Sequence, residues 1–116
     1  MNRICLSLSI GSVAAIAFGV LSATTPVVAA CYEDVGCTND HVMSYPALQD
    51  LSCEQLWTVR NAIFQENGFC FQTKRALAVF SNDGCTSHVS GDLPLNHFEQ
   101  TNVSRVIKVE RQKACH

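Results

Sequence analysis

The sequence predicts a small, mainly α-helical domain of three helices, stabilised by up to three disulfides. Two segments begin with a polar capping residue, carry Gln or Glu three positions later and repeat apolar residues at helical spacing, which is typical of amphipathic helices. A third, shorter apolar segment lies between them. Six of the seven cysteines follow a leader-like N-terminus, and small exported domains often depend on disulfides for stability.

The helix boundaries follow from local capping signals. Ser52 and Gln55 form a capping box for the first helix, and Asn96 and Glu99 form one for the third. Gly68 can end the first helix by adopting the left-handed conformation. We therefore expect helices over residues 52–67, 73–80 and 96–114.

The rest of the domain is expected to be irregular. Residues 31–50 are predicted to form a loop-like arm, because Pro46 favours an extended or turn conformation at Tyr45. Residues 81–92 are rich in Ser, Gly, Asp and Asn and are predicted to form a loop. The predicted core consists of Trp57, Ile63, Phe64, Phe71, Leu77, Phe80, Phe98, Val103 and Val106, and Glu54 and Glu66 are expected to be exposed.

The first thirty residues are typical of a secretory signal peptide. Arg3 is the only charge before Glu33, and an apolar run over residues 4–20 follows it. Cleavage after Ala30 would leave small residues at the recognition positions. This pattern predicts a periplasmic or secreted protein with no membrane span after cleavage; a retained anchor is the alternative. The expected organisation is a signal peptide over 1–30, an arm over 31–50 and a helical domain over 51–116.

The residues around the cleavage site allow a second interpretation. Residues 28–31 also resemble a bacterial lipobox, which would place a lipid anchor on Cys31. Lipidation of Cys31 would leave five cysteines in the exported chain. Since an even number is more usual in an oxidising compartment, ordinary cleavage is favoured over a lipid anchor.

Composition excludes several classes of partner and cofactor. The chain has eight basic and ten acidic side chains, and no basic patch with interleaved aromatic residues occurs. We therefore expect no nucleic-acid partner. None of the four histidines lies at metal-ligand spacing from another ligand, so we expect neither metal nor cofactor. No nucleophile, base and orienting group can be assigned together, so no catalytic residue is predicted.

The exported cysteines are predicted to form disulfides. No Cys-x-x-Cys motif occurs, which excludes thioredoxin-type redox sites and zinc ribbons. Six cysteines allow 15 connectivities. An antiparallel arrangement of the first and third helices favours Cys53–Cys115. A bridge across the second helix favours Cys70–Cys85, and a local loop favours Cys31–Cys37. The expected pairs are Cys53–Cys115, Cys70–Cys85 and Cys31–Cys37.

Arg60 lies in the middle of the apolar face of the first helix, which is unusual because burying an unpaired charge is costly. Glu99 is the first candidate partner and Glu110 the second. The favoured interpretation is a structural clamp between the first and third helices; the alternative is a cleft in which Arg60 binds a ligand carboxylate or phosphate. The predicted polar clamp or ligand site comprises Arg60, Asn61, Asn67, Glu99 and Asn102.

The same helix carries a family resemblance. Leu56, Arg60-Asn61, Ile63 and residues 64–68, followed by Phe71, Phe80 and Asn102, resemble the YARHG domain of bacterial envelope and secreted proteins. The five residues that correspond to Tyr-Ala-Arg-His-Gly are Phe64, Gln65, Glu66, Asn67 and Gly68. The likeness spans residues 51–110. It implies an extracytoplasmic helical module and implies no particular activity.

These observations favour a non-catalytic secreted or periplasmic module that binds an envelope component or a protein partner. A small envelope enzyme that acts on peptidoglycan or peptide around Arg60 and Glu99 is one alternative. A disulfide-stabilised secreted inhibitor or host-directed factor is another. An Arg60 guanidinium left unpaired in a deep pocket would favour the enzyme, and a projecting loop between paired cysteines would favour the inhibitor.

Overall fold

The computed structural model describes residues 30–116. Of the predicted signal peptide only Ala30 belongs to this part, and residues 1–29 lie outside it. The elements in chain order are β1 (Cys31–Tyr32), β2 (Gly36–Cys37), α1 (Tyr45–Gln49), α2 (Cys53–Glu66), α3 (Lys74–Leu77), a 3₁₀ turn (Ser90–Asp92) and α4 (His97–Gln112). The mainly helical fold with three disulfides is confirmed, and the structure adds one short helix to the three expected.

A small hairpin opens the arm. In the antiparallel β1–β2 pair, Cys31 lies opposite Cys37 and Tyr32 opposite Gly36. Gly36 has a φ of +86°, which glycine adopts without the steric cost of a Cβ. Val35, in the turn of this hairpin, is buried in the core. The arm is therefore an ordered part of the domain.

The expectation of an extended segment at Tyr45-Pro46 is wrong, because α1 begins there. Ser44 Oγ accepts a hydrogen bond of 3.3 Å from the Ala47 N–H, and Pro46 lies in the first turn of the helix. Proline is tolerated in the first turn because its missing N–H would have no intrahelical partner there. Leu48 of α1 is fully buried, and this burial stabilises a helix too short to form alone.

Both predicted capping boxes are confirmed. The Ser52 N–H donates to Gln55 Oε1 (2.8 Å), and the Gln55 N–H donates to Ser52 Oγ (3.1 Å). At α4, the Asn96 N–H donates to Glu99 Oε1 (2.9 Å) and the Glu99 N–H to Asn96 Oδ1 (2.8 Å). Gly68, just beyond α2, has a φ of +90° as expected. The ends of both long helices are thus set by neighbouring residues.

The two long helices α2 and α4 pack antiparallel. The disulfide Cys53–Cys115 joins the start of α2 to the residues after α4, and Asn67 beyond α2 contacts Glu99 in the first turn of α4. The structure confirms all three expected disulfides, which are Cys31–Cys37, Cys53–Cys115 and Cys70–Cys85. Within residues 30–116 no helix is long and apolar enough to cross a membrane.

The core has two parts. The larger lies between the arm, α1, α2 and α4, and the smaller lies between the end of α2 and the segment that carries α3. Ile63, Phe64, Phe71 and Val106 are buried as expected, whereas Leu77 (49% exposed) and Phe98 (36% exposed) are not. Leu77 ends a helix of only one turn, and Phe98 lies on the outer face of α4. Leu56, Ala76 and Val109, which lie on the inward stripes of their helices, are buried as well. The apolar pattern did not indicate the burial of Val35, Met43, Leu48, Leu51, Val59, Ala62 and Leu93.

Candidate functional site

Arg60 pairs with Glu110 and not with Glu99, so the first candidate partner was wrong and the second is the one observed. Arg60 Nε donates to Glu110 Oε1 (2.7 Å), and Arg60 Nη2 donates to Oε2 (3.0 Å). The two side chains are 24% and 14% exposed. This two-point contact is the strong geometry for an arginine–carboxylate pair, and it links α2 to α4.

A signal in the sequence could have identified Glu110. Arg60 lies two turns after Cys53, and Glu110 lies just over one turn before Cys115. Once Cys53 and Cys115 are paired between antiparallel helices, Arg60 and Glu110 come to the same level. The capping box places Glu99 in the first turn of α4, at the opposite end of the helix from Glu110.

Glu99 is buried and fully engaged by neighbouring donors. Its Oε1 accepts from the Asn96 N–H, and its Oε2 accepts from Asn67 Nδ2 at 2.8 Å. Asn67 Nδ2 also donates to the Ile63 carbonyl at 2.8 Å. These contacts join the end of α2 to the start of α4. Glu99 and Asn67 therefore have a structural role at this junction, away from Arg60.

Asn102 holds the arm against α4. It is fully buried; its Oδ1 accepts from the Met43 N–H (2.8 Å), and its Nδ2 donates to the carbonyls of Thr38 (3.1 Å) and His41 (2.9 Å). The amide thus uses both donors and its acceptor on backbone groups of the arm. Since a buried polar group needs such partners, Asn102 specifies where the arm lies on the domain.

Arg60 and Asn61 lie at a groove, which we call the Trp57 groove. It has a volume of about 220 Å³ and is lined by Trp57, Arg60, Asn61, Phe69, Phe71, Gln72, Thr73 and Ala76. Asn61 is buried, and its Nδ2 donates to the Trp57 carbonyl at 2.9 Å. Among residues 30–116, the hydrogen bonds of these two side chains use Arg60 Nε and Nη2 and Asn61 Nδ2, which leaves Asn61 Oδ1 and Arg60 Nη1 available to water or a ligand. The groove therefore combines aromatic walls with polar atoms that a ligand can use, among them Asn61 Oδ1 and Arg60 Nη1.

An arginine covers part of the Trp57 ring. Arg75 Cζ lies 3.8 Å from the ring centroid, in the geometry of a cation–π contact, and Arg75 Nη2 donates to Glu54 Oε2 at 2.5 Å. Phe80 packs on the ring at 5.6 Å between centroids. Arg75 is well exposed, so it can move without disturbing the core.

Glu66 contradicts the expectation of an exposed helix carboxylate, because it is half-buried against the arm. Its Oε2 accepts from the Ala30 N–H at 3.0 Å, and Thr38 Oγ1 lies 3.3 Å from both carboxylate oxygens. Burial raises the pKa of Glu66, and the charge of Glu99 adds to the rise, while the two hydrogen bonds oppose it. Burial also raises the pKa of Tyr32, with Glu66 as a second cause.

A second cleft, of about 140 Å³, lies between the arm and the first turns of α2. Its lining comprises Tyr32, Asp34, Val35, Leu51, Glu54, Gln55, Thr58 and Val59. Among residues 30–116 no three His, Cys, Asp or Glu side chains are placed to hold a metal ion. Both this cleft and the Trp57 groove are concave surfaces of the described residues.

Comparison with known families identifies the domain. The family model of the YARHG domain matches residues 34–111, which is more than half of the chain. The chain belongs to the YARHG domain family. No curated protein and no solved structure matched the chain in the same comparisons. YARHG domains are extracytoplasmic, and three disulfides are typical of an oxidising compartment.

The residues that correspond to the YARHG motif lie at the end of α2. Phe64 is buried in the smaller core, and Gly68 provides the positive φ that ends the helix. Glu66 and Asn67 stand where the family name has Arg and His. In this YARHG domain they bind the arm and the start of α4 respectively, so both departures from the motif have structural partners.

Proposed function

We propose that this YARHG domain is a non-catalytic secreted or periplasmic module that binds an envelope component or a protein partner through the Trp57 groove. The leader-like residues 1–30 and the three disulfides support export. Signal cleavage and the absence of a lipid anchor are part of this proposal.

The observation that carries the proposal is the available carbonyl of Asn61. Asn61 is only 7% exposed, yet it lines the groove. A ligand N–H or O–H in the groove would give Asn61 Oδ1 a hydrogen bond, worth roughly 0.5–1.5 kcal/mol. Arg60 Nη1 can donate to an acceptor on the same ligand, while Glu110 already neutralises the arginine charge. These features favour a neutral ligand over a carboxylate or phosphate.

The groove favours a ligand that joins a polar amide or hydroxyl to an apolar body. Phe69, Phe71 and Trp57 supply the apolar walls. The volume of the groove, about 220 Å³, is smaller than that of a drug-sized pocket. The acetamido sugars and short peptides of a bacterial envelope carry amides or hydroxyls next to small apolar groups. One sugar or amino-acid residue would occupy the groove, with the rest of the polymer outside.

The alternative of an envelope enzyme has little support. Its proposed residues Arg60 and Glu99 are separately engaged, Arg60 by Glu110 and Glu99 by Asn96 and Asn67. An acid–base site needs groups within reach of one reacting centre. The guanidinium lines the groove but is paired, so the condition that would favour an enzyme is not met.

A secreted inhibitor or host-directed factor is a second candidate. The loop closed by Cys70–Cys85 carries Leu77 and Val79, which are 49% and 59% exposed. A constrained loop with apolar side chains suits docking on another protein. Inhibition of purified proteases by the native protein, lost when both Leu77 and Val79 are replaced by serine, would support this candidate over the first.

The replacement Asn61→Ala tests the leading proposal. The Trp57 carbonyl keeps its helical hydrogen bond and alanine favours helix, so we expect the free energy of unfolding to change by less than about 1 kcal/mol. A soluble disaccharide–peptide fragment of peptidoglycan should bind the native protein in calorimetry. Asn61→Ala should weaken that binding by roughly tenfold, the equivalent of one hydrogen bond.

Asn39→Ala provides the matched control, because Asn39 is exposed in the arm and is absent from the groove lining. It should bind the fragment as the native protein does. Separate titrations with an N-acetylated disaccharide and with the free peptide would show which part is recognised. Equal affinity of Asn61→Ala and the native protein for every probe would refute binding in the Trp57 groove.

A further inference from the structure

Ala30 belongs to the folded domain through both of its backbone polar groups. Its N–H donates to Glu66 Oε2 at 3.0 Å, and its carbonyl accepts from the Thr38 N–H at 3.0 Å. Thr38 is fully buried. Cleavage after Ala30 would remove both hydrogen bonds and leave the buried Thr38 N–H without its acceptor, which folded proteins rarely tolerate.

The Glu66 carboxylate lies where it can form an ion pair with a positively charged Ala30 nitrogen. Apart from that nitrogen, Thr38 Oγ1 donates to the Glu66 carboxylate, at 3.3 Å from each oxygen. The other titratable groups acting on Glu66 are Tyr32 and Glu99. Neither supplies a cation, so the half-buried carboxylate lacks a positive partner among residues 30–116. An ammonium group 3.0 Å away would turn the hydrogen bond between a neutral N–H and the carboxylate into an ion pair.

We propose that the leader is removed after Ala29, so that Ala30 is the N-terminal residue of the exported protein and its α-ammonium group pairs with Glu66. This rests on the proposed export. A signal peptidase adds water across the Ala29–Ala30 amide; Ala29 leaves with a carboxylate, and Ala30 gains an amine that is protonated at neutral pH. Val27 and Ala29 then occupy the recognition positions, which suit small side chains.

The pairing fits the glutamate that stands at the position of the motif's arginine in this chain. An arginine at position 66 would face a terminal ammonium group of like charge beside Ala30. The glutamate instead gives the new N-terminus a partner next to the hairpin that Cys31 and Cys37 close. The same disulfide opposes the lipobox interpretation, because the Cys31 sulfur cannot carry both a thioether-linked lipid and a disulfide.

The test is to express the full chain in a bacterial host and measure its non-reduced intact mass and N-terminal sequence. We expect residues 30–116 less six hydrogens, with Ala30 first. A product that starts at Cys31, with or without an acyl group, would overturn the cleavage position while leaving export intact. A retained 1–116 chain in the cytoplasm would refute export itself, and with it the proposed function.

A second measurement tests the ion pair. In the protein that starts at Ala30, the pH dependence of the Ala30 methyl resonance reports the pKa of the α-amino group. We expect that pKa to be higher in the native protein than in Glu66→Gln, because the carboxylate stabilises the ammonium form. Glu54→Gln, which removes an exposed carboxylate on the same helix, should leave it unchanged. Equal α-amino pKa values in the native protein and Glu66→Gln would overturn the pairing.

Discussion

Replacing either member of the Arg60–Glu110 pair by leucine should destabilise the domain, and Arg60→Leu should cost more. Arg60→Leu leaves the Glu110 carboxylate, which is only 14% exposed, without its two donors; Glu110→Leu leaves an arginine that is 24% exposed and can reach water. Exposed pairs contribute at most about 1 kcal/mol, whereas breaking a fully buried pair costs about 3–5 kcal/mol. The intermediate exposure places the two costs at about 2–3 kcal/mol.

The double replacement separates the pair from the general effect of each substitution. Leucine at both positions strands neither charge and can pack between α2 and α4. We therefore expect it to be more stable than the sum of the single effects by about 1–2 kcal/mol. The assay is urea unfolding of the oxidised protein followed by far-UV circular dichroism, with the free energy of unfolding extrapolated to water.

Arg75→Leu is the control for loss of a surface arginine. Its partner Glu54 is 68% exposed, so Arg75→Leu should change the free energy of unfolding by less than about 1 kcal/mol. The clamp between α2 and α4 would be refuted if Arg60→Leu and Glu110→Leu unfolded at the native urea concentration. It would also be refuted if their effects were strictly additive in the double variant.

Two further predictions concern the disulfide and the arm. Replacing Cys53 and Cys115 by alanine opens a loop with a sequence separation of 62. Because the unfolded chain gains entropy, the free energy of unfolding should fall by about 4 kcal/mol. Urea unfolding measures this change, and an unchanged midpoint would contradict the prediction. The hydrogen bond with Asp40 (2.7 Å), followed by that with the Val35 carbonyl (3.0 Å), raises the pKa of His41. Protonated His41 therefore stabilises the arm at a pH below the ordinary histidine pKa, and this stabilisation is lost as the pH rises through the raised pKa. Asp40→Asn removes the main cause of the rise, so it should lower the pH at which the His41 ring titrates in NMR.

Helix ends and cysteine pairing were predictable because they depend on residues close in the chain or on simple geometry. The capping residues Ser52 and Asn96 lie three positions from the side chains that complete their boxes. The bridge from Cys53 to Cys115 follows once the two long helices are antiparallel. Neither inference requires knowledge of how the faces of the helices meet.

The core and the polar contacts were less predictable because they depend on rotation and depth. A helical wheel places Arg60 among apolar residues but does not show which residue of α4 lies opposite it. The apolar pattern of the arm is too short to indicate burial, so Val35 and Leu48 were missed although both are in the main core. Phe98 fits an apolar helical stripe, yet it faces outward in the first turn of α4.

By itself, the sequence determined the two long helices with their caps, the three disulfides and the YARHG family, because these depend on local hydrogen bonding, cysteine spacing and a motif within one helix. Only the tertiary structure decided that Arg60 pairs with Glu110 and that Glu66 accepts a hydrogen bond from the Ala30 N–H. It also decided that Asn61 lines the Trp57 groove. These contacts join residues 30 to 50 positions apart or lie at one groove. They follow from the packing of α2 against α4 and the arm, which the order of residues in the chain does not specify.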